Sequence, residues 1–485
     1  LVRTREHLGR RISVESINGL PPETMIKGAV MNEHKKHGSS FSSKMGFILA
    51  AAGSAVGLGN LWRFPYLAAK YGGGSFLLIY VILAVTFGFA LMITEIALGR
   101  KTGKSALYAF STLHEKCGFI GILASIVPII ILPYYCVIGG WVIKFAWAFL
   151  TGSGNAAAAD DYFSNFIAKT GEPVMWLVIF ILATSVVILL GVNKGIENIS
   201  KVLMPLLVVL SVIIAVFVVT RPGAGAGIVY YLKPDLSKIS ANAFLAALGQ
   251  LFYSMSLAMG IMITYGSYMK KNEDIESSVR NIEIFDTGIA FLAGLMIVPS
   301  VFVFSGGDQV SLKAGPTLMF ITLPKVFDSM AGGHLIGTVF FVLVLFAALT
   351  SSISLMETVV SIFVDKTKKS RKFITVCVTV YTVLMAIPSS LGFGIWSGFS
   401  IHGMSILDFF DFISNSVLMP IVAFLTCVFV GFIVKPETIM DEVESSTQKF
   451  KSKKLYIVLI KYVAPILLLL ILFSSVLNAL GIITL

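Results

Sequence analysis

Charge is what this chain has least of. Of its 485 residues only 13% are Asp, Glu, Lys or Arg, against 56% hydrophobic residues, and the mean hydropathy is +0.89. An ordinary soluble domain carries about a quarter charged residues, so a fully water-exposed surface is excluded and a polytopic membrane protein is the class that remains. The formal net charge of +11 does not point to nucleic acid, because the basic residues lie in short runs between apolar segments. Cysteine is scarce as well. Cys136, Cys377 and Cys427 fall inside apolar segments and Cys117 in a basic loop, so no disulfide framework is expected. The six histidines, His7, His34, His37, His114, His334 and His402, lie in tails, loops or span ends. Without a buried His or Cys constellation the chain lacks the chemistry of an intramembrane enzyme. Without a repeated pore-lining motif it lacks that of a channel.

What it has is apolar length. Eleven segments approach the ~20 residues that cross a bilayer: about 45–70, 75–99, 119–150, 173–191, 196–220, 241–269, 283–305, 333–364, 373–391, 405–434 and 455–482. They specify an all-α polytopic membrane protein with 11 transmembrane helices. Residues 1–40 are polar and basic and are expected to be a disordered cytoplasmic tail, with no h-region of a signal peptide. Met31-Asn32-Glu33-His34-Lys35-Lys36 resembles a bacterial start, so residues 1–30 are expected to precede the native N-terminus. With the N-terminus inside, 28 of the 37 Lys and Arg fall on the inner side. That asymmetry predicts a cytoplasmic N-terminus in the plasma (inner) membrane of a bacterium, and an odd span count puts Leu485 outside.

The first segment contains Gly53-Ser54-Ala55-Val56-Gly57-Leu58-Gly59-Asn60, three glycines in seven positions. Each costs a helix about 1 kcal/mol relative to Ala, and backbone freed at membrane depth survives only inside protein or beside a cavity. A second soft point lies at Ser254-Met255-Ser256-Leu257-Ala258-Met259-Gly260. Close helix packing through small residues is the other reading of such stretches. Two interrupted helices predict two inverted five-helix repeats, about 45–220 and 241–434, with broken helices 1 and 6, a site between them, and an extra helix at 455–482. Half-helix N-termini suit a carboxylate, and freed carbonyls suit a small cation. Hard oxygen ligands stand at the same depth: Asn60, Ser254, Asp286, Thr350 and Ser351, a set for an alkali metal or proton, not zinc. Asp286, an acid inside a span, has either a function or a partner such as Lys144. Arg63, Asp411, Glu95 and Glu357 are either structural ion pairs or parts that close one side of the site at a time. Tyr134-Tyr135 after Pro133 offers hydroxyls or core packing.

These residues resemble a known family. Gly53 to Pro65, read GSAVGLGNLWRFP, is similar to the first-helix signature of the neurotransmitter:sodium symporters. Tyr71-Gly72-Gly73-Gly74, Glu95 with Gly99-Arg100, Gly249 to Ser254 (GQLFYS) and Leu349-Thr350-Ser351-Ser352 continue it, and the resemblance runs from about residue 41 to the end. The broken-helix rule was itself drawn partly from the leucine transporter of this family and is not independent support. The resemblance implies a symporter, not an enzyme, working by alternating access, with Na⁺ at two sites. One Na⁺ would be held by the Ala55 carbonyl, Asn60, Ser254, Asp286 and the substrate carboxylate. The other would be held by the carbonyls of Gly53, Val56 and Ala347 and the hydroxyls of Thr350 and Ser351. The pocket would be Ser54, Ala55, Leu58, Gly59, Ile131, Tyr135, Tyr253, Ser254, Ser256, Met259, Ser351 and Leu355. Arg63 with Asp411 resembles the outer gate, Tyr253 its aromatic lid, and Tyr268, Asp365 and the segment before Met45 the inner gate.

The departures matter. Gly57 stands where the family's amine transporters have an acid, so the substrate must bring its own carboxylate. Phe41 replaces a tryptophan, and the gate arginine aligns near Gly38, leaving Lys35, Lys36 or Lys44 to substitute. Glu357 replaces an amide and is expected to hold a lysine of the 35–44 segment as a second inner contact. A compensating acid of the leucine transporter aligns with Ala290, and Asp286 takes over its charge, so no chloride requirement is expected. Eleven spans resemble a bacterial branch that includes tyrosine and hydrophobic amino-acid transporters. The expected cargo is therefore a neutral, hydrophobic or aromatic amino acid. The alternative is a carboxylate-bearing osmolyte or γ-amino acid. The other partner is the lipid bilayer, with no nucleic acid.

Overall fold

A computed structural model of the chain describes residues 40–305, 316–446 and 449–479. The expected disordered tail, the start at Met31, the alignment at Gly38 and the position of Leu485 fall outside the described residues. In chain order the principal helices are α1 (Lys44–Ala55), α2 (Gly59–Lys70), α3 (Gly74–Thr102), α4 (Ala106–Leu113), α5 (Gly118–Leu150), α6 (Gly171–Leu189), α7 (Val192–Val219) and α8 (Ala224–Leu232). The second half continues with α9 (Ala241–Ser254), α10 (Ile261–Ser267), α11 (Ile275–Ser305), α12 (Gly333–Thr367), α13 (Arg371–Leu391), α14 (Ile406–Ile433), α15 (Pro436–Glu444) and α16 (Lys453–Asn478). One isolated bridge, Ile401 to Met404, is the extent of β pairing among the described residues.

Among the described residues nine helices are long and apolar enough to cross a membrane, and α1 with α2, bent by 51°, makes a tenth. Helices α9 and α10, of 14 and 7 residues, are each too short alone. The expected eleven is reached only by taking them as one interrupted span. Boundaries mostly agree with the hydropathy, but the helix expected at 283–305 begins at Ile275. Its first turns carry Glu276, Arg280 and Glu283, too polar for a hydropathy window. Short helices also lie between the long ones, Gly154–Ala157 and Tyr162–Ala168 between α5 and α6 and Leu323–Ser329 before α12.

Helix starts follow from serine caps. Ser43, Ser240, Ser370 and Ser405 each accept an N–H in the first turn of α1, α9, α13 and α14, a cap worth about 1 kcal/mol. In α5, Pro133 frees the carbonyl of Ile129 four residues back, and the Tyr381 hydroxyl on α13 donates to it at 3.0 Å. Backbones touch where α10 crosses α3: a Cβ on Gly99 would meet the Ile263 carbonyl oxygen at 1.9 Å, and one on Gly266 the Ile96 carbonyl oxygen at 2.3 Å. Helix α1 packs on α7, α11 and α12, and α10 on α3 and α12. Both interrupted pairs thus sit inside the bundle, where freed backbone finds partners.

Candidate functional site

The first interruption is short. Val56 turns to extended backbone (φ −73°, ψ 101°) while its N–H still reaches the Ala52 carbonyl. The Asn60 side chain folds back, its Oδ1 accepting from the Gly57 N–H at 3.1 Å. The second runs from Met255 to Gly260, and Ser256, Ala258 and Gly260 all have positive φ, 53°, 59° and 70°. Left-handed backbone costs an L-residue about 1–2 kcal/mol, so it must be held. The Glu95 carboxylate on α3 accepts the Ala258 N–H at 2.7 Å. The Ser256 hydroxyl donates to the Ser54 carbonyl at 2.9 Å, and the Ser54 hydroxyl to Ser256 Oγ at 3.1 Å, stitching one interruption to the other.

Two oxygen groups meet at these interruptions. In the first, Asn60 Nδ2 donates to Asp286 Oδ1 at 2.8 Å and to Ser254 Oγ at 3.0 Å, and the Ser254 hydroxyl donates to Asp286 Oδ1 at 2.7 Å. The Tyr80 hydroxyl reaches Asp286 Oδ2 and Ser254 Oγ, both at 3.1 Å. Asp286 is fully buried. Lys144 is not its partner: it pairs with Glu172 at 2.5 Å. In the second group the Ser351 hydroxyl lies 3.4 Å from the carbonyl oxygens of Gly53 and Val56 and 3.1 Å from that of Ser54. The Thr350 hydroxyl donates to the Ala347 carbonyl at 3.1 Å. Apart from the Asn60 amide nitrogen that faces Asp286, both groups are built of oxygen, and no cluster of three His, Cys, Asp or Glu exists among the described residues, so the donors present fit a hard monovalent cation rather than a transition metal.

Beside them lies a cavity lined by Ser54, Ala55, Leu58, Gly59, Ile131, Tyr135, Tyr253, Ser256, Met259, Ser351 and Leu355. Ser254, expected there too, does not line it; its hydroxyl turns to Asp286 instead. Gly57 and Ile261 line it as well. Neither was anticipated as a lining residue, although Gly57 lies in the glycine-rich stretch itself. No signal in the sequence singled out Tyr80 from other tyrosines in apolar segments. Tyr135 is buried in this cavity without a well-aligned partner for its hydroxyl.

The chain matches the model of the sodium:neurotransmitter symporter family over residues 38–165 and 160–482. It belongs to that family. Among the proteins similar to it is an uncharacterized sodium-dependent transporter of Haemophilus influenzae, 33% identical over 92% of this chain and 100% of the relative. The sodium- and chloride-dependent GABA transporter 2 of Bos taurus is 26% identical over 72% of this chain and 66% of its own length. The crystal structure of MhsT in complex with L-phenylalanine superposes with a TM-score of 0.82 at 35% identity, covering 90% of this chain and all of that one. The fold is that of a symporter of this family, and the chain is a multi-pass membrane transporter of the sodium-dependent class.

The two ends of this symporter differ. At one, Arg63 and Asp411 line a cavity of about 510 Å³ that also reaches Tyr253. The two form no ion pair here, although both face this cavity. The Arg63 guanidinium stands over the Tyr253 ring at 5.6 Å, and Asp411 accepts from the Tyr134 hydroxyl at 3.2 Å and from Asn415 at 2.6 Å. The other end is packed. The Phe41 N–H donates to the Tyr268 carbonyl at 3.2 Å, and its ring meets Phe47, Tyr265 and Tyr268 edge-on. The Tyr268 hydroxyl donates to Glu357 at 2.7 Å. Among the described residues the ion-pair partner of Glu357 is Arg371, bound to both carboxylate oxygens; of the lysines expected there only Lys44 is described, and Lys35 and Lys36 lie outside the described residues. Arg371 opens α13 just after α12 ends, and its planar fork fits a carboxylate better than an ammonium does. Lys44 instead reaches the Ser277 hydroxyl at 3.0 Å, and Asp365 accepts the Ser105 N–H at 2.8 Å.

Proposed function

We propose that the chain imports neutral hydrophobic or aromatic α-amino acids together with Na⁺. The observation that carries this is the placing of two buried oxygen groups at the meeting of two interrupted helices, beside a cavity walled largely by carbon. The Ala55 carbonyl, Asn60, Ser254 and Asp286 would take one Na⁺, completed by the substrate carboxylate. The carbonyls of Gly53, Val56 and Ala347 with Thr350 and Ser351 would take the second. Leu58, Ile131, Met259 and Leu355 offer carbon and sulfur to the side chain, and Met adapts to flat rings. A missing methylene in such a pocket is worth about 1–3 kcal/mol, so a ranked spectrum of substrates is expected.

Alternating access would use the asymmetry of the ends. Arg63, Asp411 and the Tyr253 ring would close over a loaded site, and release would require parting Tyr268, Glu357, Asp365 and the Phe41 segment. Asp286 supplies a fixed negative charge beside the first Na⁺, so no chloride is needed. The packed end would face the cytoplasm of a bacterial cell. The bovine relative, named for GABA, keeps a γ-amino acid in play as cargo.

The test is uptake of a radiolabelled amino-acid panel by proteoliposomes, with choline replacing Na⁺ and gluconate replacing chloride. Uptake of leucine, tyrosine and tryptophan should require Na⁺ and ignore chloride. A preference for glycine, proline or GABA would overturn the substrate reading, and arrest without chloride would overturn the charge assignment.

A further inference from the structure

The end of the bundle that carries Arg63 holds another pocket, which transport leaves unused. A cavity of about 400 Å³ is lined by Gly72 and by Tyr230, Lys233, Asp235, Leu236 and Lys238. Its walls are braced against each other. The Tyr230 hydroxyl donates to the Ala69 carbonyl at 2.6 Å, the Ser75 hydroxyl to the Asp235 carbonyl at 2.7 Å, and the Asp235 N–H to Ser75 Oγ at 2.8 Å. A Cβ on Gly73 would meet the Tyr230 carbonyl oxygen at 2.0 Å. The turn after α2 and the segment after α8 therefore touch backbone to backbone, and the pocket is a fixed feature.

Its charge is uncompensated. At this end Lys144 and Lys169 share Glu172 and Lys325 holds Asp160, while Arg63 and Arg221 stand over the rings of Tyr253 and Phe217. Lys233 and Lys238 make no ion pair among the described residues, and the acid between them is already engaged. Asp235 accepts the Ser237 hydroxyl at 2.6 Å and the Ser237 N–H at 3.0 Å. Those bonds, helped by Lys238 and Lys233, hold its carboxyl below the usual carboxylate value. Lys238 leans over the Tyr230 ring at 5.4 Å. Two ammonium groups thus share one committed carboxylate. Around them Leu236 is 72% exposed, Val229 58% and Ile239 46%. Apolar side chains standing out beside lysines are the pattern of a segment seated at the membrane–water interface.

We propose that this pocket binds a phosphate group, that of an anionic phospholipid in the adjoining leaflet. The lysines would meet the phosphodiester while Leu236, Val229 and Ile239 lie against the acyl region. Because the walls include the turn that ends α2, the occupant would steady the half-helix bearing Arg63.

The experiment is native mass spectrometry of the purified full chain, exchanged into micelles with phosphatidylglycerol or phosphatidylcholine, with and without millimolar inorganic phosphate. The variants are Lys233→Gln with Lys238→Gln, and Lys233→Arg with Lys238→Arg. Both positions are exposed, so folding should be unaffected, as thermal melting will report. Retained phosphatidylglycerol should fall about tenfold in the glutamine variant and persist in the arginine one. Free phosphate should not displace it; displacement would make the soluble anion the occupant and overturn the lipid assignment. Equal retention in wild type and glutamine variant, with no phosphate binding in either, would overturn the site altogether. Binding is read directly, so these outcomes stand whatever the chain transports.

Discussion

The two helix interruptions look alike in the sequence and are built on opposite principles. The first is rich in glycine, yet Gly53, Gly57 and Gly59 all have negative φ. They are there for room. A Cβ on Gly57 would lie 2.7 Å from Ser351 Oγ and 3.4 Å from the Tyr135 hydroxyl, and one on Gly59 2.5 Å from the Tyr253 ring. The second has one glycine, and the left-handed backbone falls also on Ser256 and Ala258. It is strained, and Glu95 with the Ser54–Ser256 stitch restrains it. A crowded interruption fails when atoms are added, and a strained one when its restraint is removed.

The largest effect should come from crowding the first. Gly57→Ala pushes a methyl into Ser351, whose hydroxyl binds the carbonyls of Gly53 and Val56. Overpacking of this kind costs about 1–3 kcal/mol, which is about five- to a hundred-and-fiftyfold in the Na⁺ concentration for half-maximal uptake. Helix content should not change, since φ at Gly57 suits alanine. An unchanged Na⁺ dependence would show that the second oxygen group holds no cation.

Removing the restraint of the second comes next. Glu95→Ala leaves the buried Ala258 N–H without an acceptor, at about 1–3 kcal/mol. The residues displaced are Ser256 and Met259 of the cavity, so the half-saturating amino-acid concentration should rise about tenfold and that of Na⁺ much less. Glu95→Gln keeps an acceptor oxygen and should recover most of the loss. If both variants behave alike, the charge of Glu95 and not its hydrogen bond is what matters.

This contrast explains what could be read beforehand. The interruptions were legible because glycine, asparagine and proline act locally; of the oxygen groups, Asn60, Ser254, Thr350 and Ser351 lie in recognisable motifs, and Asp286 stood out as an acid inside a span. The reason for the glycines was not legible: space and φ freedom use the same residue, and only the neighbours Ser351 and Tyr253, some 200 to 300 positions away, decide between them. Partners drawn from distant segments were missed for the same cause. Tyr80 finds Asp286 across 206 positions, and Arg371 sits in a run of basic residues between apolar segments, where it passed for a topology signal rather than as the clamp on Glu357. Arg63 and Asp411 were legible as a pair of opposite charges but not as the walls of one cavity without an ion pair between them, because the sequence does not fix their separation.

The smallest effect tests the strain itself. Ala258→Gly removes the penalty of a left-handed alanine, φ 59°, worth about 1 kcal/mol. It also deletes a methyl buried to 1% exposure, worth about 0.8 kcal/mol. The two offset each other, so the melting temperature should stay within a few degrees of wild type, far from the effect of Gly57→Ala. What should change is selectivity. With glycine at 258 the peptide planes on either side of Met259 turn at little cost, and the cavity wall can adapt to bulkier rings without losing the Glu95 hydrogen bond. Competition between tryptophan and leucine for the same uptake should therefore shift a few-fold toward tryptophan. A shift toward leucine, or a fall in stability as large as that of an overpacked core, would mean that the left-handed alanine is held by packing alone and stores no usable strain.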